Sequence, residues 1–167
     1  MDRSKLEGLR VEAQPAARHE RGFSMLELIV VVAVMGIIFA IALPQFLTYY
    51  GSASAAAGVQ EMRTALYRAK QLAVTLRQSV CVTVTGGAPP TYQFRLGGCG
   101  GPVWVGDGTD AAGNFALQNG VALSNGGASP IFTPLATASQ AGTLTVTGHN
   151  GAARVVTVTP SGRITTP

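Results

Sequence analysis

The sequence predicts an α+β protein, a long N-terminal helix followed by an antiparallel β-sheet region. Three observations predict it. An uncharged stretch runs from Leu28 to Leu43. Behind it, apolar residues recur at spacings of three and four as far as Leu76, which is a helical period. From Val80 onward, short Val- and Thr-rich runs alternate apolar with polar residues between Gly- and Pro-rich turns. A chain of 167 residues has room for one anchor and one small globular domain.

The first half of the helix is apolar all round. From Phe23 to Leu43 it would rise about 31 Å at ~1.5 Å per residue, close to the thickness of a bilayer core. A secretory signal has a shorter apolar region, closed by small residues at its cleavage site, whereas this block continues to Leu43. Glu27 is the anomaly. A lone carboxylate in hydrocarbon costs a few kcal/mol, so Glu27 is a candidate functional residue. Pro44 follows, and a proline there removes one backbone donor and favours a kink. Gly51 and Gly58 weaken the next turns, while Ala53 to Ala57 supply helix propensity. Val59, Met62, Leu66, Ala69, Ala73 and Leu76 then form one apolar stripe, with Gln60, Glu61, Arg63, Arg68 and Lys70 on the other sides. The helix is expected to end at about Arg77. Its stripe must pack on something, and the C-terminal region is the only candidate.

That region reads as β. Val80, Val82 and Val84 alternate with Cys81, Thr83 and Thr85, and Tyr92 to Leu96 form the hairpin partner beyond Gly86 to Pro90. A short Val103-Trp104-Val105 run lies between Gly97–Gly101 and Gly106–Gly113. Thr143 to Thr147 and Arg154 to Thr159 flank Gly148-His149-Asn150-Gly151, which contains an Asn-Gly turn signal. The intervening stretch 111–141 is low in charge and rich in Gly, Ala and Ser.

The run Arg21-Gly22-Phe23-Ser24-Met25-Leu26-Glu27 resembles the type IV prepilin signal, with Ser24 and Met25 where Thr and Leu are common. The resemblance implies cleavage by a prepilin peptidase between Gly22 and Phe23. Phe23 becomes an N-methylated amino terminus, and Glu27 pairs with that amine on a neighbouring subunit. Residues 1–22 would be a cytoplasmic leader that is removed. The leader carries five basic against four acidic residues, with Arg18 and Arg21 nearest the span, which favours leaving it in the cytoplasm. Residues 23–51 would be the transmembrane and filament-core helix, and 52–167 a periplasmic globular domain. Cys81 and Cys99 then fall in an oxidising compartment, where an even pair reads as a disulfide; two buried free thiols are the alternative.

The C-terminal order narrows the resemblance. A Val80-Cys81 strand precedes a Gly-rich turn with Cys99 and the aromatic Trp104. Gly142-Thr143-Leu144-Thr145 follows, then Arg154-Val155-Val156 and Ser161-Gly162-Arg163-Ile164. This order resembles the GspH/FimT family of minor pilins and pseudopilins, and with the N-terminal signal it spans most of the processed chain. It implies a pilin-like fold and a structural subunit of a type II secretion pseudopilus or a type IV pilus. The implied location is the bacterial inner membrane, single-pass. The implied partners are other pilins or pseudopilins in a hetero-oligomeric filament, the prepilin peptidase and an inner-membrane assembly platform.

Catalysis is not indicated. Beyond the leader the chain has one histidine, His149, no carboxylate cluster, no G-x-S-x-G elbow and no phosphate loop. No cofactor is implied, and no Cys/His group has zinc spacing. Asp107, Asp110 and Asn114 sit in a Gly-rich loop of the kind that binds calcium, but the spacing is not that of an EF-hand, and Asx turns account for it. The charge excess beyond the leader, seven basic residues against four acidic, is too mild to indicate nucleic acid by itself. DNA capture for uptake is the alternative function. Some FimT-like pilins bind DNA through a C-terminal Gly-Arg-x-Arg element. Here Gly162-Arg163-Ile164-Thr165 lacks the second arginine, which leaves Arg163 and Arg154 as the candidate contacts.

Overall fold

Helix α1 (Met25–Leu76) is the first element of the described residues and carries Pro44 within it. The computed structural model describes residues 23–166; residues 1–22, with Gly22 and the rest of the expected leader, lie outside them. The chain divides into two compact units, one ending at Ala40 and one running from Ile41 to the C-terminus.

In the second unit α1 buries one face. Val59, Met62, Leu66, Ala69 and Ala73 are buried as their spacing predicts, and Gly51, Ser54, Ala55 and Gly58 extend the stripe upstream. Leu76 departs from the expectation and is exposed. It is the last helical residue, and the chain leaves the helix there. Arg77 takes a left-handed conformation with φ 52°. Its amide bonds to Val74 O at 3.3 Å, and the Gln78 amide bonds to Ala73 O at 3.2 Å. These two bonds are a Schellman cap, with arginine where glycine is usual.

The rest of the unit forms two antiparallel sheets, where the sequence suggested one. Strands β1 (Val80–Thr85), β2 (Thr91–Leu96), β3 (Asn114–Ala116), β5 (Ile131–Phe132) and β6 (Ala138–Gln140) form the first, in the order β3-β2-β1-β5-β6. Strands β4 (Ala122–Asn125), β7 (Gly142–Thr147), β8 (Ala153–Val158) and β9 (Ile164–Thr165) form the second, in the order β4-β7-β8-β9. The β1–β2 and β7–β8 hairpins match the runs expected from alternation. The stretch 111–141 supplies β3 to β6, each only two to four residues long. Such strands show too little alternation to be read; pairing with longer neighbours defines β3, β4 and β5, and β6 pairs with β5.

Both sheets turn apolar residues toward the buried stripe of α1, forming one core. Val80, Val82 and Phe94 come from the first sheet; Leu144, Val146 and Val156 come from the second, and none has exposed surface. In β7 the alternation is clean, with Leu144 and Val146 buried and Thr143, Thr145 and Thr147 half-buried.

Small residues on α1 let the β7–β8 turn close against the helix. A Cβ on Gly51 would lie 2.3 Å from the Asn150 side chain, and one on Gly148 would lie 2.1 Å from Gly51 O. Asn150 Nδ2 donates to Thr48 O at 2.9 Å. On the other flank, Arg68 lies over the rings of Trp104 and Phe115, 5.5 and 5.2 Å from their centroids. It also donates to Asp107 O, which ties the loop after Trp104 to the helix. Cys81 and Cys99 are bonded to each other, with Cα atoms 5.0 Å apart, joining β1 to the Gly-rich turn after β2.

Candidate functional site

The N-terminal unit offers a surface with no cover of its own. Every side chain described from Phe23 to Ala40 is exposed, Phe23 at 80 %. Among the described residues, α1 is the one helix long and apolar enough to cross a membrane. Glu27 stands in its first turn. Ser24 precedes the helix, and its carbonyl accepts the Leu28 amide at 3.1 Å, which makes Ser24 the N-cap. Glu27 is then the third helical residue, and Ser24-x-x-Glu27 has the spacing of a capping box. That position places its carboxylate at the positive end of the helix dipole.

The C-terminal candidates separate. Arg163 follows Gly162, whose φ is 75° and whose absent Cβ would lie 2.2 Å from Ala136 O. Glycine is therefore required there by both conformation and space. Lys70 Nζ donates to Gly162 O at 2.9 Å, holding the β8–β9 turn against α1. Arg163 lines a hollow of about 340 Å³ with Arg63, Tyr67, Thr165 and Thr166. The Arg63 guanidinium lies 5.8 Å from the Tyr67 ring centroid.

Arg154 is not part of this group. Thr159, hydrogen-bonded through its amide to Arg163 O at 2.9 Å, stands opposite Arg163. Arg154 is five positions further back along the same chain, roughly 16 Å at strand rise, and of opposite parity. The companion of Arg163 is Arg63. Nothing in the local sequence marks that pairing, because a helix residue and a C-terminal turn meet only through the fold.

In the Asp-containing loop, the Asp110 carboxylate is engaged within the loop itself. The Asp110 carboxylate accepts from Ala112 N at 2.9 Å, Asn114 N at 2.8 Å and Asn114 Nδ2 at 2.9 Å. The Asn114 side chain first, then these backbone amides, hold the Asp110 carboxyl below its ordinary value. That is an Asx-type turn.

Residues 17–43 match the family described as the prokaryotic N-terminal methylation motif. Two structures of the minor pseudopilin EpsH, from the type 2 secretion system of Vibrio cholerae, share the fold. In one the identity is 12 %, with 68 % of this chain and 96 % of EpsH covered at a TM-score of 0.52. In the other the identity is 15 %, with 69 % and 94 % covered at a TM-score of 0.53. The type IV minor pilin FimU of Pseudomonas aeruginosa is 16 % identical over 66 % of this chain and 90 % of FimU, at a lower TM-score of 0.47. No curated protein matches the sequence.

Proposed function

We propose that this type IV pilin-like protein is a minor pilin or pseudopilin, a structural subunit of a type IV pilus or a type II secretion pseudopilus. The observation that carries the reading is the methylation motif over 17–43, set on an exposed apolar helix with Glu27 in its first turn. The pseudopilin fold of the second unit supports it. In this reading the chain is made with a leader and cut by a prepilin peptidase between Gly22 and Phe23. The new amino group of Phe23 is methylated. Phe23 to Leu43 hold the protein in the inner membrane, with the C-terminal domain in the periplasm. The same apolar surface later serves as filament core, since lipid and packed helices are both apolar surroundings. The assembly platform and the other filament subunits are its partners.

Glu27 has two roles to be separated, and the chemistry separates them. A capping box accepts Gln in place of Glu, because the side-chain oxygen still receives the backbone amide. Pairing with a charged amine needs the carboxylate. Glu27→Gln is therefore expected to abolish incorporation into filaments while leaving the anchored subunit folded and processed. Sheared filaments and membrane fractions, probed for this subunit in a host with its own pilus or secretion machinery, check this. Normal incorporation of Glu27→Gln would reduce Glu27 to a helix cap. Mass analysis of the mature amino terminus tests the processing step. An intact leader on the wild-type chain would remove the prepilin reading.

A further inference from the structure

We propose that the face of α1 between Arg63 and Val74, with the β5–β6 turn and the β8–β9 turn, docks a protein segment that presents a carboxylate beside a bulky apolar side chain. The inference does not depend on the pilin reading, since it rests on this face alone. Two hollows, each of about 340 Å³, share Tyr67 as a common wall. The first is walled by the apolar surfaces of Tyr67, Val74 and Ala136, with Lys70, Gln71 and Thr75 completing its lining. The second is the basic one that holds Arg63 and Arg163. Lys70 lies in the first, with its ammonium on Gly162 O, so positive charge marks the seam between them. Among the described residues, no Asp or Glu side chain lines either hollow.

The apolar part is presented rather than merely uncovered. Leu135 is 85 % exposed and adjoins Ala136, while Tyr67 and Val74 on the helix are 42 % and 45 % exposed. A single exposed leucine is ordinary. This one sits on a turn built to hold it out. The Thr133 amide donates to Thr137 O at 2.8 Å, and the Ala136 amide donates to Thr133 O at 3.0 Å. The two threonine hydroxyls are 2.8 Å apart. Ala136 is kept at φ 62°, a left-handed conformation that is unfavourable for a residue with a Cβ. Its carbonyl is wedged against Gly162. An exposed leucine next to a groove, and two guanidiniums lining one hollow, give directional recognition: the groove takes the apolar side chain and the arginines take the carboxylate.

The chemistry favours protein over nucleic acid. A phosphate-binding surface gains by neutralising several charges along a backbone, and this hollow is lined by two guanidiniums. One face of Tyr67 is already covered by Arg63, which limits stacking of a base on it. A phosphate chain would gain nothing from Leu135 or Val74.

The test uses the full chain in zwitterionic nanodiscs and fluorescence anisotropy of three labelled probes. The first is a short peptide alternating Leu with Glu, the second is the same peptide with Gln for every Glu, and the third is a single-stranded thymidine oligonucleotide. Empty nanodiscs give the background. The acidic peptide should bind at least tenfold more tightly than its Gln counterpart and weaken with added salt. The double variant Arg63→Gln, Arg163→Gln should lose tenfold or more of that affinity, and Leu135→Ser several-fold. Replacing both arginines by Lys should restore part of the binding, which a merely structural role would not predict. Equal binding of the two peptides, no binding of either, or indifference to Leu135→Ser would overturn the proposal. So would an oligonucleotide that binds more tightly than the acidic peptide and depends on the arginines but not on Leu135.

Discussion

Tyr92 shows how one buried polar group links this core to pH. It stands on β2, between β1 and β3, and its ring stacks on Phe115 at a centroid distance of 5.0 Å. Burial, and then the charge of Glu61, push its phenol up to about 12, with Arg68 acting in the opposite direction. A folded-state value above the unfolded one of 10.0 means the neutral phenol is the form the fold prefers. Its contribution is fully present below pH 10 and is lost as pH rises toward about 12. Wild type should therefore lose up to about 2–3 kcal/mol of stability across that window relative to Tyr92→Phe. Denaturant titrations of the two proteins at pH 9 and pH 11 check it; parallel behaviour would mean that Tyr92 ionises freely. At this scale the sequence was half legible. Glu27 declared itself because a charge inside an apolar run violates a local pattern. Arg63 did not, because a solvated arginine on a helix violates nothing until Arg163 is folded beside it.

At the scale of elements, α1 was readable because its period persists for many turns and each buried position repeats the evidence. Its end was legible only to within a residue. A left-handed C-cap usually announces itself with glycine, and Arg77 fills that place here. Arg77→Gly should accordingly stabilise the domain by about 0.5–1 kcal/mol, the relief at a left-handed position less the extra entropy of a glycine in the unfolded chain. The check is a higher denaturant midpoint at an unchanged slope. An unchanged midpoint would mean that the Arg77 side chain makes up the difference. The glycines on α1 carried a signal that propensity obscures. Gly51 and Gly58 read as weak points of a helix, yet Gly51 is where the β7–β8 turn meets the helix backbone and Gly58 is where Val146 packs. Close approach, which a one-dimensional pattern does not contain, explains both. The short strands β3, β4 and β5 escaped for a similar reason, since partners distant in sequence fix their register, and β6 then pairs with β5 across a short turn.

For the whole molecule, the division between an exposed apolar helix and a folded domain was plain in composition, but the place of that division was not. Hydropathy suggests that the domain begins once the apolar block and its following turn have passed, near residue 52. The hydrogen bond from Asn150 to Thr48 and the seat of Gly148 on Gly51 put part of the domain's support on the helix before that point. Anyone shortening the protein to obtain a water-soluble piece meets this at once. A fragment starting at Gln45 keeps the surface on which the β7–β8 turn rests, and one starting at Ser52 leaves Asn150 without its acceptor. The shorter piece should melt several degrees lower, with new amide exchange concentrated in residues 148–151. Equal melting of the two would show that the turn stands unaided. The best place to cut this chain lies inside what hydropathy alone would have discarded.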